Sequence, residues 1–327
     1  MSSTLLLTRQ DVESLMDHDV LLKRLKEGFA ALATADPAIR GKRYPFALPQ
    51  SISAVAAGGM VLAPGLVPGI PAYTVKANAK FPEHPPAIKG LVLLHSLEDG
   101  RVLAVLDSGS ITAARTAAAG AVGADVLARG DAASVAIIGC GVQGLAQLNW
   151  MTKIRPIKQV YLYDTVPEHA QKVANRESAR LGIDAVVCRS AKAAASQADI
   201  VITATWAREP FLFRGDVSPG THITTLGPDG PNECEIAAEL LLDARFFADD
   251  ADLQIEMGAI GGAGLGREAI NAEIGDVLAG TEAGRESAND LTVYGMVGVP
   301  FQDLIAAWLV YNNALHRGIG TEIDFCG

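Results

Sequence analysis

The chain is poor in cysteine, has no basic excess and lacks a long uninterrupted apolar run. Its four cysteines, Cys140, Cys188, Cys234 and Cys326, show no CxxC spacing, so no metal cluster is expected. Thiols scattered through a chain of this size point to a reduced state and a cytoplasmic address. Lys plus Arg number 27 against 37 for Asp plus Glu, a formal net charge of −10. A nucleic-acid footprint wants a basic face and anionic lipid attracts basic clusters; this balance argues against both partners. The longest small-apolar region, Thr112–Ala128, is broken by Arg115 and Asp125, too short and too charged to span a bilayer. Met1–Leu7 has no basic stretch leading into a signal-type apolar core. The 33 glycines follow no triplet period, which excludes a collagen-like rod. What is present is 49% apolar residues in 327, enough to bury a large core and to exclude disorder as the main state. The length fits two domains or one large α/β unit.

The texture of the chain changes twice. Thr8 to Asp11 resembles a capping box with a short acid and predicts a helix to about Met16. Leu21, Leu22, Leu25, Phe29 and Leu32 recur at helical spacing and predict a second helix over Val20–Thr34. Short apolar runs follow, Met60–Leu62, Ala72–Ala77, Leu91–His95 and Val102–Leu106, with Asp99-Gly100 as a hairpin turn. They predict a meandering sheet. Ser110–Leu127 is almost all Ala, Thr, Gly and Val, a helix whose neighbours must approach closely. From Ser134 strand and helix patterns alternate through Ala248, which predicts a parallel sheet with helices on both faces. The stretch Gly258–Gly266 is expected as a flexible surface loop. A final amphipathic helix is expected over Phe301–His316. The resulting fold class is α/β. A doubly wound domain over residues 129–290 is inserted in an α+β domain built from 1–128 and 291–327.

The most informative string is Gly139-Cys140-Gly141-Val142-Gln143-Gly144. It follows a strand and opens a helix, the context a dinucleotide-binding turn requires. Gly139 allows the tight turn, Gly141 leaves bare backbone for a pyrophosphate, and Gly144 lets helix and strand pack closely. The helix N-terminus adds unpaired N–H donors and a positive dipole end. Val142 and Gln143 lie within the same turn and join the cofactor set. Asp164 ends the second strand 20 residues after Gly144, where a carboxylate accepts the adenosine ribose hydroxyls and repels a 2′-phosphate. NAD is therefore favoured over NADP. Thr203 and Thr205 end the fourth strand, a place that lines the cofactor crevice of a doubly wound sheet.

Three polar residues stand in unusual surroundings. Lys76 interrupts an apolar strand and, taken alone, reads as a surface lysine with its stem along the sheet. Arg115 is a single charge amid small residues, either solvated or a carboxylate clamp. Asp229 ends a strand, as a turn former or as an acid/base.

Together the pieces resemble the ornithine cyclodeaminase/μ-crystallin family over nearly the whole chain. The marks are Lys76, ITAARTAAAG, IIGCGVQG, DIVITAT, GTHITTLGPDGPNE and VGVPFQDLIAAW. The resemblance implies a homodimer, with a Rossmann domain inserted in a substrate and dimerisation domain. It implies an NAD(P)-dependent oxidoreductase acting at Cα of an L-amino acid or its imine. Other activities of the family are ornithine or lysine cyclodeamination, hydroxyproline dehydration and ligand binding without turnover. By the same resemblance Lys76 lies in the substrate site, Arg115 grips the α-carboxylate, and Asp229 is the catalytic acid/base. Arg43, with Arg40 as competitor, is an upstream carboxylate ligand. Two departures are visible. Many relatives carry a Thr-His-Gln-like segment where this chain reads Pro86-Ala87-Ile88-Lys89, and the region that supplies a distal-amine acid in cyclodeaminases reads Met60-Val61-Leu62-Ala63. Both lean toward a short or apolar substrate side chain.

Overall fold

The computed structural model describes all residues except 1–2, 37–38, 48–58, 82–83, 85, 231–232 and 326–327. The chain divides into two compact units, one formed by residues up to Thr116 and from Val299 onward, the other by Ala117–Gly298. Among the described residues no helix is long and apolar enough to cross a membrane. Cys140, Cys188 and Cys234 are unbridged; Cys326 lies outside the described residues.

The first unit opens with β1 (Thr4–Leu7), α1 (Arg9–Leu15) and α2 (His18–Ala33). The capping box forms: Thr8 Oγ1 accepts from Asp11 N, and Asp11 Oδ2 accepts from Thr8 N at 2.9 Å, so each end satisfies an orphan donor. Asp17 caps α2, which buries Leu21, Leu25, Phe29 and Leu32 along one stripe. The meander then consists of β2 (Tyr44–Ala47), β3 (Gly59–Gly65), β4 (Ala72–Lys80), β5 (Ile88–Ser96) and β6 (Val102–Asp107). Neighbouring strands pair antiparallel in that order. Gly100, at φ 77°, makes the β5–β6 turn in the left-handed region open to glycine. The small-residue helix α3 (Ser108–Leu127) follows.

The second unit alternates β7 (Ser134–Ile138), α4 (Val142–Ile154), β8 (Gln159–Tyr163), α5 (Pro167–Leu181), β9 (Asp184–Val187), α6 (Ala191–Ala195) and β10 (Ile200–Thr203). It continues with β11 (His222–Thr225), α7 (Ala238–Asp243), β12 (Arg245–Ala248), α8 (Ala251–Met257), α9 (Ala259–Gly262), β13 (Ala272–Glu273), α10 (Ile274–Ala279) and β14 (Thr292–Gly295). The strands form one parallel sheet in the order β13-β12-β14-β11-β10-β7-β8-β9. This is a Rossmann-type sheet. Its order reverses between β7 and β10, and a ligand crevice opens outside the carboxyl ends of strands at such a point.

Two expectations are corrected here. The first part of Gly258–Gly266 is not a surface loop: α8 runs into α9, Ala259 and Ile260 are buried, and only the four residues after Gly262 form a turn, with Gly264 exposed. A Cβ on Gly261 or Gly262 would lie 2.0 Å from Ile255 O or 2.1 Å from Glu233 O, so these glycines serve close backbone packing rather than freedom. The units also divide at other positions than the change of residue pattern suggested. Thr292–Gly295 is not part of the first unit: it is fully buried and pairs between β11 and β12. The C-terminal half of α3 belongs to the second unit because its glycines admit neighbours of that unit. A Cβ on Gly123 would fall 2.0 Å from the Tyr294 ring, the close approach expected of so small-sided a helix.

The chain then returns to the first unit with α11 (Pro300–Arg317) and β15 (Thr321–Ile323). The finished sheet has the order β15-β1-β6-β5-β4-β3-β2. Helix α11 lies between this sheet and α2, packing on β3, β4 and β5 with one side. On its other side the Phe29 and Phe301 rings meet edge to face at 4.9 Å.

The Gly123 contact is testable. Gly123→Ala should cost about 1–3 kcal/mol, the usual cost of overpacking a filled core. Gly130→Ala, where an added Cβ meets nothing within 4 Å, should be nearly neutral. Denaturant midpoints of the two variants check this, and equal midpoints would refute the close approach.

Candidate active site

Strand β4 places Thr74, Lys76 and Asn78 on one face by its two-residue period. That face is the one covered by α11. Lys76 is therefore no surface lysine: it is 4% exposed, and its Nζ lies 2.5 Å from Asp303 Oδ2. Arg115, on α3, is buried beside the same carboxylate, with Nε 3.1 Å from Asp303 Oδ1 and a second donor 2.9 Å from Gln302 Oε1. Burial pushes Lys76 down from its ordinary value to about 7, opposed by Asp303 and aided by the charges of Arg115 and Arg43. Burial works against the charge on Asp303, but Arg115 and Lys76 prevail and hold its carboxyl below the usual range. Two cations thus face one carboxylate, leaving one positive charge in excess when Lys76 is protonated. Thr112 Oγ1, one turn before Arg115, and Gln302 Nε2 are buried without a hydrogen-bond partner in the protein. An unbalanced buried cation beside unsatisfied polar atoms is the environment a carboxylate ligand would complete.

Sequence reasoning missed Asp303 and Gln302. They lie in VPFQDLIAAW, which reads as the start of an amphipathic helix. Their signal was a Gln-Asp pair between Phe301 and Leu304 on the apolar side, since buried charges are kept only when paired. Arg43 is half-buried and acts on Lys76 through its charge. Ala63 and Val92 are the register partners of Lys76, so its flanks on the sheet are apolar.

In the second unit, the glycine-rich turn joins β7 to α4. Gly139 has φ 95°, and a Cβ there would lie 2.4 Å from Ala204 O. On Gly144 a Cβ would lie 2.0 Å from Gly139 O, so this glycine permits the tight helix–strand packing. Gly141 is exposed, has open space around its Cα and caps α4 without any side-chain bond. The first-turn N–H groups thus remain for an anion. Val142 is exposed, and Gln143 Oε1 is buried without a partner. Asp164 accepts from Cys140 N at 2.8 Å and from Val166 N at 2.9 Å, which holds the carboxylate under the turn with lone pairs left over. Burial raises the Cys140 thiol to about 12, which keeps it protonated at neutral pH.

The strand-end threonines are placed differently from one another. Thr203 is fully buried and donates to Glu235 Oε2 at 2.5 Å, while Thr205, half-buried, donates to Glu235 Oε1 at 2.7 Å. Glu235 is a further residue that sequence reasoning missed. Asp229 is half-buried in the turn after β11, where its backbone N–H donates to Glu233 Oε2 at 3.0 Å.

Comparison with known proteins gives the family of the chain. The chain belongs to the ornithine cyclodeaminase/mu-crystallin family, whose profile matches residues 2–318. It is 33% identical over 327 residues, 98% of both chains, to an alanine dehydrogenase of Archaeoglobus fulgidus. An archaeal alanine dehydrogenase dimer with bound NAD is similar in structure, with a TM-score of 0.90 and 31% identity over 99% of each chain. Thermococcus litoralis Δ1-pyrroline-2-carboxylate reductase, in complex with NADH and L-proline, also has a TM-score of 0.90. Its identity is 30%, over 98% of this chain and 100% of that one.

Asp303→Asn should destabilise the protein by about 3–5 kcal/mol, the scale for stranding a buried cation. The sign with pH follows from Lys76, whose folded value lies below its unfolded 10.5. Without Asp303 that value falls further, so the loss is larger at pH 6, where the parent's Lys76 is charged, than at pH 9, where it is neutral in both. Denaturation at the two pH values measures the difference; a pH-independent loss would refute the coupling.

Proposed function

We propose that the chain is an NAD(H)-dependent oxidoreductase acting at Cα of an L-amino acid or its imine, as an imino-acid reductase or amino-acid dehydrogenase. The observation that carries this reading is the buried cluster of Lys76, Arg115 and Asp303, whose excess positive charge suits an α-carboxylate. The alanine dehydrogenase and pyrroline-2-carboxylate reductase relatives support the reaction class. Residues 139–144 and Asp164 fit a dinucleotide: the α4 N-terminus is free of a side-chain cap and Gly141 leaves room at the backbone. NADH, when bound, supplies the hydride. Asp164 favours NAD, since its carboxylate repels a 2′-phosphate.

In this reading Arg115 grips the substrate carboxylate with its planar fork, and Arg43 adds a second cation. Lys76 anchors the carboxylate or a water while protonated, and Asp303 holds Lys76 in place. Fixing the substrate removes part of the entropic cost of reaction. Asp229 gives or takes the proton at the α-nitrogen. Val61 and Ala63 lie on the Lys76 face of β3, where an acid for a distal amine would be needed. That favours a short or apolar side chain over ornithine or lysine.

The protein acts as a homodimer in this reading. Tyr44, Leu62, Ala77 and Leu91 are successive register partners across β2–β5, on the sheet face opposite Lys76. All are exposed, Leu62 and Leu91 each to 50%. A continuous apolar row of this kind on a sheet marks an interaction surface, and the archaeal alanine dehydrogenase neighbour is a dimer.

NADH absorbance with 1-pyrroline-2-carboxylate, and with pyruvate plus ammonium, tests the reaction. Oxidation with either is expected. A flat trace with ammonia release from ornithine or lysine would replace the reading with a cyclodeaminase. Asp229→Asn should keep NADH binding and lose about 100-fold or more in turnover; near-parental turnover would remove Asp229 from its role. Leu62→Glu combined with Leu91→Glu should turn the dimer into monomer by light scattering, and an unchanged mass would exclude this face.

A further inference from the structure

Glu235 is fully buried, and five hydrogen bonds converge on its carboxylate. Oε1 accepts from Thr205 N at 2.8 Å and Thr205 Oγ1 at 2.7 Å. Oε2 accepts from Thr203 Oγ1 at 2.5 Å, Thr225 Oγ1 at 2.7 Å and Gly227 N at 3.2 Å. A carboxylate offers about four lone-pair sites, so this one is saturated by protein donors and has nothing left for a ligand. Its own backbone is anchored too. Glu235 O accepts from Phe211 N and Leu212 N, and Cys234 N donates to Ala207 O.

The donors come from two neighbouring places. Thr203 and Thr205 lie at the end of β10; Thr225 and Gly227 lie at the end of β11, with Thr203 and Thr225 as register partners. The β10 end in turn lies against the glycine-rich turn, where Ala204 N donates to Ile138 O at 2.9 Å. Gly227 is required for the arrangement, because a Cβ there would lie 2.4 Å from the Glu235 carboxylate carbon and 2.6 Å from Thr205 O. Two residues further on is Asp229.

We infer that Glu235 is a positioning residue for the reaction: it locks the ends of β10 and β11 together and sets the turn that carries Asp229. The inference rests on the reading above, in which Asp229 handles the substrate proton. The chemistry requires a carboxylate and not merely its shape. The two backbone N–H groups sit on different oxygens, and an amide has only one acceptor oxygen. Whichever way a glutamine is turned, the N–H of Thr205 or of Gly227 faces an NH2 group and loses its partner. The hydroxyls can rotate to adapt; the backbone donors cannot.

Kinetics of Glu235→Gln with NADH and 1-pyrroline-2-carboxylate, beside NADH affinity by fluorescence, test this. The expected result is a fall in kcat of tenfold or more that exceeds the loss in NADH affinity, because the β11 turn carries Asp229 whereas Asp164 keeps its own hold on the glycine turn. Thr225→Val, which removes one donor, should lower kcat less, and Thr225→Ser should restore it. A kcat within twofold of the parent, equal losses in kcat and NADH affinity, or a serine variant as impaired as the valine one would overturn the proposal. If Glu235→Gln does not fold, the Thr225 pair decides alone. Amide exchange separates this from failure of the functional reading. Even if the parent turns over neither substrate set, peptides covering 203–205 and 225–230 should exchange faster in Glu235→Gln while β7–β9 keep their protection. Unchanged exchange would overturn the clamp itself.

Discussion

The ion pair between Lys76 and Asp303 is the constraint around which the first unit is arranged. A lysine placed under a helix is tolerated only if a carboxylate meets it, because isolated charge in a dry interior costs far more than any packing gain. Helix α11 supplies that carboxylate, and it is held in place by Phe29 of α2 on one side and the sheet on the other. Arg115 joins the same carboxylate from α3. Three elements far apart in the chain are thereby pinned by one acid, and the cluster still carries a surplus cation.

The second unit uses carboxylates in a related way, at the ends of its parallel strands. Asp164 after β8 holds backbone N–H groups of Cys140 and Val166. Glu235 holds those of Thr205 and Gly227. Asp249 after β12 accepts from Val297 at 2.9 Å and Gly298 at 2.6 Å, just past β14. Burial raises Asp249 to about 6, against the pull of those two donors. Backbone N–H groups that leave the ladder at strand ends still need acceptors. An acid beneath each loop accepts from them and holds the path of the turn.

Much of this architecture was legible from local pattern. The capping box at Thr8, the strand and helix alternation from Ser134 and the glycine-rich turn depend on neighbours a few residues away. Other features were not. Gly258–Gly266 reads as loop because glycine weakens local structure, yet at Gly261 and Gly262 glycine lets backbones touch. Thr292–Gly295 followed a polar stretch and read as the start of the returning segment; its burial between β11 and β12 comes from pairing with strands that lie far from it in sequence. Lys76, read in isolation, was a surface lysine on a half-exposed strand.

By itself the sequence determined the α/β class, the parallel order of strand and helix, the glycine-rich turn with Asp164 beyond the next strand, and the family. These rest on periodicity, on glycine stereochemistry and on motifs whose parts are close in the chain. Only the tertiary structure decided that Lys76 is buried, that its partner is Asp303 227 residues away, that Arg115 shares that partner, and that Glu235 ties two strand ends together. The physical reason is that desolvation and charge pairing belong to a place rather than to a residue. A carboxylate acquires its meaning from the donors that the fold brings to it.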